Sequence, residues 1–243
     1  MRRRTKRTSL RPRPFIVLGL IVNLFAGILY SPVTAVRKIR VEGAPANDEA
    51  RLTRLMQSLR GVPCARVNAR AIESDALDNP EIRGASLART PFGSAVLRVA
   101  RRTAVARLYA APSIGLSSEG VLYPASELSN DLPLVELPGD YPKVGLTLGN
   151  GWRAADVARL ATIVNTIPAK GPVRIRVFQG GRLCLNIDSG VVELGDYKRL
   201  DEKVKLVSDM LRKQPDFFAN IQTVNIVKPE APMYLDRKGA PKS

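Results

Sequence analysis

The chain contains no histidine, and only two of its 243 residues are cysteine. Histidine is the commonest general base and metal ligand in proteins, so its absence removes the most frequent route to both chemistries. Cys64 and Cys184 lie far apart in the sequence, so the usual zinc ligands are missing as well. The two cysteines could pair in an oxidising compartment, but their positions favour two buried thiols in separate domains.

Aromatic residues are also scarce, at 5% of the chain. The formal net charge of +16 is scattered rather than gathered in a stripe, so a nucleic-acid interface with stacked bases is not indicated. Neighbouring carboxylates, as at Asp201 and Glu202, point in different directions on a helix and do not bracket a bond. We therefore expect a non-enzymatic protein with no cofactor and no metal.

Residues 14–36 form the longest apolar run, PFIVLGLIVNLFAGILYSPVTAV, and it carries no charge. As a helix this run would extend over roughly 35 Å, enough to cross a hydrocarbon core of about 30 Å. The pattern predicts a basic cytoplasmic tail over residues 1–14, a single transmembrane helix over 15–36, and an extracytoplasmic body. A cleavable signal peptide is the alternative, but its apolar region is usually shorter.

Residues 37–104 have a pattern typical of a small α+β module. Ile39 and Val41 alternate with charged residues, as in a half-buried strand. Two helical segments follow, the second beginning at Asn68 as N-cap and ending before Pro80. Two further strands flank the turn at residues 90–93. The predicted order is β-α-α-β-β, with both helices on one face of the sheet.

Residues 105–234 are predicted to form a mixed, β-rich domain with packed helices. A helix is expected over 154–167, and three strands joined by glycine turns are expected over 173–178, 183–187 and 191–194. A last helix covers 198–213. A final strand over 223–227 either forms an exposed sheet edge or completes the sheet from inside, and the sequence leaves both possibilities open. Residues 235–243 are predicted to be a disordered tail.

This arrangement resembles the FtsQ/DivIB family of cell-division proteins. Residues 36–43, VRKIRVEG, are similar to the opening of the family's POTRA module, and residues 88–99, ARTPFGSAVLRV, to its hairpin. The segment 192–195, VELG, followed by Glu202 and Lys203, is similar to the family's "V-x-L-G…E-K" step, which is the most specific match. Leu132, Pro133 and Gly139 stand where the family has "L-P-x-L-x-G".

The resemblance implies a bitopic inner-membrane scaffold at the division septum that binds FtsB/DivIC-like and FtsL-like partners. In the family the partner adds a strand to the last strand of the β domain. The positions that match this site are Val224, Asn225, Ile226, Val227, Lys228 and Tyr234. Two alternatives remain: a POTRA-bearing component of an export or assembly system, and an anchored wall-binding module that uses the excess positive charge of the body.

Overall fold

The computed structural model describes residues 13–29, 31–138 and 153–237. They form an α+β protein with mixed sheets, and the chain divides into two units, Met1–Ala100 and Arg101–Ser243. The sequence prediction placed this division after residue 104. Most of the predicted basic tail, the predicted motif glycine at position 139, and residues 238–243 of the predicted disordered tail lie outside the described residues.

The first helix, α1 (Arg13–Leu29), has 17 residues and is therefore about 25 Å long. Among the helices of the described residues, none combines the length and the apolar character that crossing a bilayer requires. The predicted transmembrane helix over 15–36 is therefore wrong. The apolar run is divided at Ser31, whose side chain caps a short 3-10 helix, Pro32–Thr34. The last residue of the run, Val36, belongs instead to the core of the first unit, where it is buried.

The first unit confirms the predicted β-α-α-β-β order. Its elements are β1 (Lys38–Glu42), α2 (Glu49–Gln57), α3 (Ala69–Leu77), β2 (Ile82–Thr90) and β3 (Ser94–Arg101). The strand order is β1-β3-β2, and β1 runs parallel to β3 because the two helices carry the chain across between them. The predicted cap is present, since the Asn68 side chain accepts a hydrogen bond from the backbone N–H of Ala71 over 3.3 Å.

The second unit is built on one nine-stranded sheet. Its first strands are β4 (Ala104–Leu108), β5 (Ile114–Ser117), β6 (Leu122–Pro124) and β7 (Leu134–Glu136). After α4 (Ala154–Val164) come β8 (Arg174–Val177), β9 (Leu183–Ile187) and β10 (Gly190–Gly195). The last elements of the described residues are α5 (Leu200–Lys213), α6 (Phe217–Asn220), β11 (Ile221–Asn225) and β12 (Met233–Asp236). The spatial order is β12-β11-β10-β9-β8-β7-β4-β5-β6.

The predicted hairpin meander over β8, β9 and β10 is confirmed, and both strand pairs are antiparallel. Its inward residues are in register, because Leu185 lies opposite Ile175 on one side and Val192 on the other. All three are fully buried, and they share one core with the apolar faces of α4 and α5. Both cysteines are free.

Candidate partner-binding edge

The strand β11 lies inside the sheet. It pairs in parallel with β10, with Val192 opposite Val224, and in antiparallel with β12, with Tyr234 opposite Val224. Of the two possibilities that the sequence left open for this strand, the structure therefore has the interior one. The edge is formed instead by β12, part of which the sequence prediction assigned to a disordered tail.

The structure brings the six predicted site residues together around β11 and β12. Val224 and Ile226 point into the core, with 1% and 0% of their surface exposed. Asn225 is half-buried and donates a hydrogen bond from Nδ2 to Oε2 of Glu193 over 2.8 Å. The residues that face solvent are Val227, Lys228 and Tyr234. Of the six residues, these three are the most accessible to a partner.

The strand β12 exposes an apolar surface at the end of the sheet. Met233, Tyr234 and Leu235 are 65%, 49% and 59% exposed. No other strand of the described residues pairs with the outer side of β12, so backbone N–H and C=O groups on that side lack a strand partner. Met233 and Leu235 were not predicted as site residues, because a strand of four residues between prolines and charged residues is too short to show a periodic pattern.

The two faces of β12 differ in their surroundings. Tyr234 lies opposite the buried Val224, so it is on the face that the helices cover. Its ring meets that of Phe217 edge to face, with centroids 6.0 Å apart, and Phe217 makes the same kind of contact with the buried Phe218. Tyr234 is thereby packed on one side while almost half of it stays exposed.

An ion-pair cluster links the loop before β12 to the start of α5. Arg199, which has a left-handed backbone conformation with φ +53°, pairs with both Glu202 and Glu230. Hydrogen bonding from Arg199 lowers the pKa of the Glu230 carboxyl. The same two carboxylates raise the pKa of the Arg199 guanidinium above its ordinary range. Glu230 therefore stays ionised in neutral solution and connects this loop to the neighbouring helix.

A groove of about 390 Å³ lies beside the end of β11, on the face that the helices do not cover. Its lining includes Cys184, Glu193, Asn225 and Val227. Burial, followed by the charge of Glu193, raises the pKa of the Cys184 thiol. The thiol is therefore a poor nucleophile at neutral pH, because only the thiolate reacts readily. The groove offers a surface for side chains rather than a reactive centre.

The other sheet edges are less suited to strand addition. At the opposite end of the nine-stranded sheet, β6 ends in Pro124, which has no N–H to donate. In the first unit, the edge strand β1 carries Lys38, Arg40 and Glu42, and charged side chains discourage edge pairing. The other edge strand of that sheet, β2, carries the exposed Arg83 and Arg89. The strand β12 is therefore the edge with the most apolar and accessible surface among the described residues.

The described residues contain no group of three or more side chains able to hold a metal ion. A comparison with protein-family models and with curated proteins finds no match for this chain. The resemblance to the FtsQ/DivIB family therefore stays a prediction from the sequence. What the geometry itself offers is an open sheet edge next to an aromatic pair.

Proposed function

We propose that this protein is a non-enzymatic scaffold of the bacterial cell-division machinery, of the FtsQ/DivIB type. It binds an FtsB/DivIC-like and FtsL-like pair by adding a strand of that pair to β12. The observation that carries the proposal is the exposed outer side of β12, where three consecutive apolar side chains border unpaired backbone groups.

Strand addition at β12 is supported by what surrounds the edge. An added strand gains backbone hydrogen bonds from the edge and side-chain contacts on both faces of the sheet. On one face Tyr234 presents an aromatic ring already held by Phe217, so little side-chain entropy is lost on binding. On the other face Met233 and Leu235 offer apolar surface. This edge therefore provides both affinity and side-chain selectivity.

The sequence supports the same proposal independently. The motif at 192–195 lies on β10, and Lys203 of the same motif lies on α5. The Lys203 ammonium donates hydrogen bonds to the backbone of Leu194 and Asp196, so the motif joins a strand to the following helix. In this fold the motif therefore has a structural role, because it holds α5 beside β10 in the sheet whose edge is β12.

The test is binding of the full chain to the FtsB-like and FtsL-like pair from the same organism. We expect the double variant Met233→Lys, Leu235→Lys to weaken binding by roughly tenfold or more, because charged side chains on an edge oppose pairing. Leu77→Lys is the matched control, since Leu77 is a 44% exposed apolar residue on α3. Equal binding by all three proteins would overturn strand addition at β12.

The proposed role also places the protein at the division septum. A fluorescent fusion of the wild-type chain should concentrate at midcell, and the double variant should be diffuse while its abundance is unchanged. Uniform labelling by the wild-type fusion would contradict the division role, and it would favour the export or wall-binding alternatives.

A further inference from the structure

The acidic residues of the first unit are confined to part of its sequence. Between residues 31 and 100, every aspartate and glutamate lies within 42–49 or 73–81. They are Glu42, Asp48, Glu49, Glu73, Asp75, Asp78 and Glu81. In the remaining stretches, 31–41, 50–72 and 82–100, the charged residues are all arginine or lysine.

The two acidic stretches meet at one end of the unit. Arg51 forms an ion pair with Asp48 over 2.6 Å and also donates a hydrogen bond to the backbone oxygen of Asp75 over 2.7 Å. Asn47 donates to the carboxylate of Glu81. At this end β1 finishes and α2 begins, while α3 finishes and β2 begins. The acidic charge of the unit therefore lies towards this end.

The opposite end is built from three stretches without acidic residues. The carbonyl of Gly93 accepts hydrogen bonds from the backbone N–H groups of Arg37 and Lys38 over 2.7 and 3.0 Å. The N–H of Val36 donates to Val62 over 3.0 Å, and the thiol of Cys64 donates to the carbonyl of Thr90 over 2.9 Å. Exposed basic side chains surround this end, namely Arg37, Lys38, Arg60, Arg66 and Arg89.

Two apolar side chains project from the basic end. Phe92, in the turn between β2 and β3, is 93% exposed, and Val33 in the 3-10 helix is 72% exposed. Gly93 fixes the turn, because it has φ +78° and a Cβ there would collide with the carbonyl oxygen of Ala35. The turn is thus held against the segment that carries Val33, and both apolar side chains belong to the same end.

We infer that this end of the first unit docks on an anionic lipid surface. Aromatic and aliphatic side chains enter the headgroup region of a bilayer, while neighbouring arginine and lysine are attracted to anionic lipids. Nucleic acid fits less well, because Val33 offers no ring on which a base can stack. The acidic end then faces away from the lipid, so the charge distribution also orients the unit. The inference is independent of the proposed partner-binding edge.

The test places a fluorescent reporter at the projecting turn of the full chain. Trp152, the single tryptophan of the sequence, is replaced by phenylalanine, and Phe92→Trp is introduced. The protein is mixed with phosphatidylglycerol vesicles that contain brominated lipid, which quenches tryptophan at the headgroup boundary. Quenching is compared between samples that contain equal amounts of vesicle-bound protein. A protein held on the vesicle by another part of the chain then leaves this reporter unquenched. We expect strong quenching, which should fall by about half or more with Arg37→Glu, Arg60→Glu.

The matched control is Lys205→Glu, Arg212→Glu, which reverses two exposed charges on α5 and should leave the quenching unchanged. Bound protein with an unquenched reporter would overturn the inference. Equal quenching on phosphatidylcholine vesicles, or no effect of the reversal at 37 and 60, would also overturn it. A reporter that responds to duplex DNA but not to vesicles would identify a nucleic-acid surface instead.

Discussion

Lys203 Nζ lies 2.7 Å from the carbonyl oxygen of Leu194 and donates a hydrogen bond to it inside the second unit. Only 1% of this lysine is exposed, which is unusual for a charged residue. The same ammonium group also reaches the backbone oxygen and the carboxylate of Asp196. Burial is tolerated because all of these oxygens accept hydrogen bonds from one cation, and the result is a fixed connection between β10 and α5.

Replacing Lys203 with methionine should therefore destabilise the protein. The methionine fills similar space but leaves the Leu194 carbonyl without this donor, and we expect a loss of about 1–3 kcal/mol in the free energy of unfolding. Urea denaturation followed by circular dichroism measures it. Lys205→Met is the matched control, because Lys205 is exposed on the same helix and its replacement should change stability little. Equal effects of the two variants would refute the structural role of Lys203.

The tight packing at Gly190 leads to a second prediction. A Cβ at this position would overlap the ring of Phe218, which in turn contacts Phe217. We expect Gly190→Ala to cost about 1–3 kcal/mol and to shift the ring that supports Tyr234. Thermal unfolding measures the cost, and the near-ultraviolet circular dichroism of the aromatic residues should change with it. Gly171→Ala is the control, since a Cβ there meets nothing within 4 Å.

The contact between Arg199 and Glu230 makes the loop before β12 sensitive to pH. The pKa of Glu230 is lowered in the folded state from its ordinary 4.5, so the contact contributes at pH values above 4.5. The contribution is lost as the pH falls through the lowered folded value. Hydrogen exchange in residues 228–233 should therefore rise in acid relative to Glu230→Gln, in which the charge is absent at every pH. A constant ratio between the two proteins from pH 6 to pH 3 would contradict this.

Two neighbouring residues at the end of β11 should lose very different amounts of stability on the same substitution. Ile226 is fully buried, so Ile226→Asp should cost roughly 3–5 kcal/mol by placing an unpaired charge in the core. Val227 is 45% exposed, and Val227→Asp should cost less than about 1 kcal/mol. Denaturation curves for both proteins provide the comparison. A loss of partner binding in the Ile226 variant would therefore report unfolding, whereas Val227 can be altered in the folded protein.

Local signals in the sequence predicted many elements because short-range chemistry determines them. Asn68 caps α3 through its own side chain, and Pro80 prevents α3 from continuing past it. The meander from β8 to β10 followed from alternating apolar residues and glycine turns. The other kind of helix start is less local: Asp48 stands before α2, but its carboxylate pairs with Arg51 and makes no cap hydrogen bond.

Long-range pairing could not be predicted in the same way. The parallel alignment of β10 with β11 depends on a crossover through α5 and α6, and no local pattern encodes it. The strand β12 is too short to show a period, yet its presence moves the sheet edge from β11 to Met233–Asp236. The transmembrane prediction failed because an apolar run does not reveal where its helix ends. Here Ser31 and Pro32 start a new turn, and Val36 joins a core.

The opposed surroundings of the two faces of β12 also limit how an incoming strand can align. Successive side chains of a strand point to opposite faces of the sheet. A slip of one residue would therefore move each side chain of the incoming strand from the face of the Tyr234 ring to the face of Met233 and Leu235, or the reverse. A sequence with an apolar or aromatic residue suited to Tyr234 meets that ring in one alignment only. If a partner strand adds at β12, four residues of edge are therefore enough to select its register.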